Sequence, residues 1–128
     1  MTDRVPGTVG VTFAKGVLDD VSELTTTGVE GDQDEAEALK LRIAELLVEC
    51  KGNPFIGELM GPGLHPELAN CRRVRFDIPT HKAKPRFRLI YRNEPTDGAP
   101  AECHWLTVAP RTGLQAHRRA QRRTKDRG

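Results

Sequence analysis

The segment Arg72–Arg92, RRVRFDIPTHKAKPRFRLIYR, alternates twice. In its first half Val74, Phe76 and Ile78 are apolar, and Arg73, Arg75 and Asp77 fall between them. In its second half Phe87, Leu89 and Tyr91 stand against Arg86, Arg88 and Arg92, with Ile90 the one apolar residue on the polar side. Period-two alternation marks a strand with one buried face. The intervening PTHKAKP is bounded by Pro79 and Pro85, which have no amide hydrogen to give a ladder. The pattern predicts two antiparallel strands joined by a basic loop. If both apolar faces meet one core, the arginines of both strands share the opposite face. That face is a poor packing surface and a good place to bind phosphate.

A chain of 128 residues makes one domain with one modest core. It has no apolar run of the ~18 residues that a membrane helix needs, and the opening MTDRVPGTVG lacks the basic-then-apolar layout of a signal peptide. Cys50, Cys71 and Cys103 are odd in number and lack CxxC spacing. That argues against a disulfide framework or a zinc cage and for a reduced, cytoplasmic protein. The formal net charge of +2 hides an asymmetry: residues 1–69 hold 5 Lys/Arg against 13 Asp/Glu, and residues 70–128 hold 15 against 5. A basic half of this kind is the footprint of a polyanion or of an acidic protein partner. Basic residues also solubilise a strand surface, so charge alone does not separate the two.

Taken in order, residues 1–8 are expected to be a flexible end, residues 9–124 a single domain and residues 125–128 a flexible tail. Val9, Val11 and Phe13 alternate in a short first strand, and Val17, Leu18, Val21 and Leu24 then fit a helical stripe. TTTGVEG ends that helix. Asp32-x-x-Glu35 has capping-box form and opens a second helix, with Ala36, Leu39, Ile43, Leu46, Leu47 and Cys50 as its stripe and Lys51-Gly52 as its close. These two helices form a hairpin over one face of the sheet. GNPFIGELMGPGLHPEL is a linker anchored by its apolar residues. ECHWLTVA is a further strand, with Leu106 and Val108 facing the helices, and Pro110 ends it. Thr112 caps a last helix from Gly113 to about Arg123, carrying Ala116 and Ala120 four apart. The fold class is α+β: an N-terminal strand, a helical hairpin, a three-stranded antiparallel meander and a short C-terminal helix.

Four stretches carry a family resemblance: residues 9–24, GELMGPGLHPELANC, the pair NCRRVRF and FRLIYR, and VAPRTGLQAHRRAQRR. With them the chain resembles the RelE/ParE superfamily of bacterial toxins, the RelE-like mRNA nucleases in particular. The long acidic helix and PTHKAKP exceed a minimal member. The resemblance implies an endoribonuclease of a toxin–antitoxin system. It would cleave mRNA on the ribosome by metal-independent 2′-OH attack, need no cofactor or metal, inhibit translation, and be restrained by a cognate antitoxin. ParE-type relatives, which act on DNA gyrase without nuclease residues, and catalytically degenerate members that bind RNA or protein are the alternatives.

By position, the resemblance gives Arg88 the contact to the scissile phosphate. It gives Arg111 a second catalytic arginine's place, and puts His117 where many members have a tyrosine and some a histidine. Arg73 and Arg75 replace two lysines; a guanidinium does not act as a base, so they grip phosphate, with Arg86, Lys82 and Lys84 as further RNA-phosphate contacts. His117 is the residue suited to move a proton, as a neutral base. The general acid has no assigned residue, and His81 is a candidate. Against these readings stand simpler ones: a solvated sheet face for the arginines, a surface or packing histidine at 117, and a core role for Trp105. Cys71 and Cys103-His104 match no common metal spacing.

Overall fold

The computed structural model describes residues 8–27, 33–61, 66–111 and 115–127. In chain order these form β1 (Gly10–Phe13), α1 (Val17–Thr27), α2 (Gln33–Gly52), β2 (Glu58–Leu59), a 3-10 turn (Pro66–Leu68), β3 (Cys71–Phe76), β4 (Phe87–Glu94), β5 (Glu102–Pro110) and α3 (Gln115–Arg127). The five strands make one sheet in the order β1-β5-β4-β3-β2. β3, β4 and β5 are the antiparallel meander expected from the alternation, while β1 adds in parallel to β5 and β2 adds antiparallel to β3. α3 runs to Arg127, past the expected end near Arg123. Asp32 and Thr112, the expected helix caps, and residues 1–7 lie outside the described residues.

The sheet is covered on both faces. The α1–α2 hairpin packs Val17, Leu24, Leu39, Ile43 and Leu46 on Phe76, Leu89, Tyr91, Trp105 and Val108. On the other face Leu68, Cys71, Ile90, Leu106 and Ala109 pack on Ala116 and Ala120 of α3. Each large side chain buried this way contributes about 1.5–3 kcal/mol. Ile90, the apolar break in the polar side of β4, is thus a contact to α3. Leu106 and Val108, expected to face the same helices, do not: Ile90 pairs Thr107 and Tyr91 pairs Trp105, so Leu106 has no partner. This one-residue bulge turns Leu106 to α3 and Val108 to the hairpin.

β1 pairs β5 only as far as Trp105, which leaves the outer edge of β5 open beyond it. Side chains close it. Asp20 of α1, buried at 3% exposure, accepts from the Thr107 hydroxyl at 2.8 Å and the Val108 amide at 3.3 Å. Arg123 of α3 donates to Leu106 O at 2.7 Å, and both Arg119 and Arg123 pair with Asp20. Gly16, at φ 98°, makes room for this: a Cβ there would lie 2.7 Å from the Arg123 guanidinium. The clamp satisfies an edge that would otherwise invite another strand and seats α3 on the sheet.

The opposite edge is fixed through the linker. The Tyr91 hydroxyl donates to Pro54 O at 2.6 Å and accepts from the Gly57 amide at 3.1 Å, and Asn93 also donates to Pro54 O. Gly57 lies so close to the sheet that a Cβ would meet Arg72 Cβ and Tyr91 Cε1 at 2.9 Å each. Close approach, rather than backbone freedom, is why glycine stands here. It delivers the next residue, Glu58, to β2.

Candidate functional site

Alternation places the basic side chains of β3 and β4. Cys71 and Ile90 face α3, so Arg73 and Arg75, in step with Cys71, and Arg88, in step with Ile90, share that face. Arg75 and Arg88 are direct cross-strand partners, and Glu58 is the partner of Arg73. Like charges set opposite each other destabilise a sheet. Nothing in a folding argument asks for arginines at both positions.

Arg88 is the centre of the group. It is 8% exposed, and its Nη1 lies 3.1 Å from Nδ1 and 3.4 Å from Nε2 of His117, itself 5% exposed. A guanidinium only donates, and the nearer imidazole nitrogen, Nδ1, is placed to accept from it. Burial, and then the charges of Arg73, Arg75 and Arg111, push Arg88 below the ordinary arginine range, while Glu58 acts the other way. The cluster therefore holds four guanidiniums within one another's field. The Nε atoms of Arg73 and Arg88 are buried and lack a hydrogen-bond partner. An orphaned buried donor costs about 1–3 kcal/mol. Two of them, on arginines of one face, describe a site short of oxygen acceptors.

Of the five residues expected to converge, four share the side opposite the hairpin, Arg73, Arg75 and Arg88 by register and His117 by its contact with Arg88, while Arg111 lies near enough for its charge to act on Arg88. Arg111 enters as β5 ends, its amide donating to Arg86 O at 2.7 Å. Arg86 itself is elsewhere. It precedes the ladder, turns its guanidinium onto Asp77 at 2.8 and 2.9 Å, and stacks 5.3 Å from the Phe87 centroid. Burial works against the Asp77 carboxylate, but bonds from Arg86 and the Ile78 amide hold it below the usual carboxylate range. Lys82 donates to Pro79 O, while His81 sits 3.2 Å from Lys84 O and 3.7 Å from Asp77. Lys82, Lys84 and His81 thus make their contacts within or beside their own loop.

Glu58 is the member that sequence reasoning missed. Its Oε1 accepts from Arg73 Nη2 at 2.7 Å, and its side chain remains 66% exposed. Its strand has two residues, too few to show a period, inside a segment whose Gly and Pro spacing reads as a linker.

No family model matches the chain, and no curated protein matches it. Among solved structures it is similar to the Escherichia coli toxin RelE, in the free state of a double arginine-to-alanine mutant. That comparison has a TM-score of 0.57 over 91% of this chain and 97% of that one. The fold is RelE-like. At 16% identity the likeness is one of architecture. The arginine cluster of this RelE-like fold is described by its own contacts.

Proposed function

We propose that this protein is a RelE-like toxin: an endoribonuclease that cleaves mRNA and so inhibits translation. The observation that carries the reading is Arg88, buried among three further arginines with its Nε unpartnered and His117 at 3.1 Å. RNA needs no metal for cleavage when its own 2′-hydroxyl attacks the adjacent phosphorus. The 2′-O–P bond forms, the P–5′-O bond breaks, and extra negative charge gathers on the phosphorane oxygens. Preorganised cations aimed at that charge are usually the largest catalytic contribution. Arg88 and Arg111 fill this role, and guanidiniums grip two oxygens at once. A phosphate bound to Arg88 draws it off the imidazole and frees the His117 lone pair to take a proton. Arg73 and Arg75 hold neighbouring phosphates, and Lys82 and Lys84 offer charge to more distant backbone. Arg86 keeps the basic loop in place through Asp77.

Target and restraint follow from the same reading. The protein acts in the cytoplasm, on mRNA held by the ribosome. A cognate antitoxin with an acidic, amphipathic segment covers the basic face or the hairpin. Induced expression tests this: growth stops with the wild-type chain and continues with Arg88→Ala, Arg111→Ala. Full toxicity from the folded double variant contradicts the nuclease. If growth stops while mRNA stays intact and DNA supercoiling is blocked, a gyrase-directed, ParE-type action replaces it.

A further inference from the structure

The arginine cluster has one acidic neighbour that the mechanism leaves unused. Glu58 is held beside Arg73 by strand register, on the face shared by Arg75 and Arg88. Its carboxylate meets Arg73 at 2.7 Å. A carboxylate and a phosphate oxygen ask the same thing of a guanidinium, so Glu58 stands where a ligand oxygen would stand. The contact is also easily given up. Glu58 lies on an exposed edge strand of two residues, and exposed ion pairs are worth little, about 0–1 kcal/mol. Within the cluster Arg73 has this carboxylate partner, whereas Arg88 lies against the His117 ring.

We infer that Glu58 is a built-in competitor for the arginine site: it occupies Arg73 in the free protein and is displaced by the phosphates of a bound chain. A ligand must therefore bring enough negative charge to replace it. Glu58 is available for this at every ordinary pH. Its bond to Arg73 and the charge of Arg73, outweighing a cost of burial and helped by Arg75 and Arg88, hold it below the usual carboxylate range. This inference rests on the site taking phosphate, and more weakly on the site cutting RNA.

The test compares the full-length chain with Glu58→Gln and, as a second variant, Glu58→Ala. The probe is a single-stranded 2′-O-methyl RNA, which lacks the attacking hydroxyl, with inorganic phosphate run in parallel. Binding is followed across a salt series. Both variants are expected to bind the RNA roughly two- to fivefold more tightly than wild type. Freeing Arg73 adds one cation, so the slope of log affinity against log salt steepens by roughly 0.7. Unchanged or weaker binding with an unchanged slope overturns the inference. Binding no tighter than wild type, with cleavage of ordinary RNA lost, also overturns it and makes Glu58 a proton acceptor. If no form binds RNA yet the variants bind inorganic phosphate more tightly than wild type, the competitor stands and the nuclease reading fails.

Discussion

Arg72 and Arg73 are neighbours in the chain and are used in opposite ways. Arg72 points toward the hairpin side, grips Asp97 through Nε at 2.9 Å and Nη2 at 2.8 Å, donates to Gly57 O, and stacks 5.0 Å from the Phe55 centroid. Arg73 points toward α3, meets an exposed glutamate, and keeps a buried Nε without a partner. Alternation alone separates them. The same residue type fastens a linker on one face and meets a single exposed glutamate on the other. What differs is the supply of carboxylates. Arg72, Arg86, Arg92, Arg119 and Arg123 each have a partly or largely buried acid. Among the described residues Arg73 pairs with Glu58, whose charge also reaches Arg75 and Arg88.

The contrast can be broken from either side. Arg88→Ala is expected to lower RNA cleavage by roughly 10²–10³ while leaving thermal stability undiminished, because it removes a buried charge set against like charges. Calorimetry beside a cleavage assay checks both halves, and a large loss of stability would make Arg88 structural. Arg72→Ala is the mirror image. It takes the ion pair from Asp97, which keeps only the Asn93 bond, and the side-chain donor from Gly57 O, costs about 2 kcal/mol in urea denaturation, and spares RNA affinity in the protein that remains folded.

Acid sharpens the same division. Arg72 first, against a cost of burial, and then Asn93, hold Asp97 below its ordinary pKa; Asp77 is likewise depressed. A carboxyl depressed in the folded state stabilises above its unfolded value, near about 3.9, and loses that contribution as pH falls through its folded value. Stability is therefore expected to drop on acidification below about pH 4, and Asp97→Asn to flatten the drop in a pH series of melts. The smallest effect belongs to Arg75→Ala. Among the described residues it makes no ion pair, so stability stays level, while RNA affinity falls a few-fold and the salt slope shallows by roughly 0.7.

How much of this was legible depends on the local signal. β3 and β4 were readable because their alternation is broken only at Ile90, and the shared face of Arg73, Arg75 and Arg88 follows from it. The RelE-like resemblance added Arg111 and His117, which no local pattern links to the strands; the fold brings His117 to Arg88 by seating Ala116 and Ala120 of α3 on the sheet. The bulge at Leu106 was hidden because CHWLTVA is nearly all buried and offers no period. The Arg86–Asp77 pair was not legible: Arg86 has the parity of Arg88, but the ladder stops at the Phe76–Phe87 pair, so it is free to turn to Asp77. Glu58 was invisible because only the register of a two-residue strand brings it to Arg73.

Whether the Arg88 cluster cuts RNA is decided by mapping mRNA ends in a translation extract. Wild type, Arg88→Ala and His117→Ala are compared with and without ribosomes. New 5′-hydroxyl ends are expected with the wild-type chain and ribosomes present, and their loss in both variants. No cuts in any condition, or the same cuts from Arg88→Ala, would contradict cleavage by this cluster.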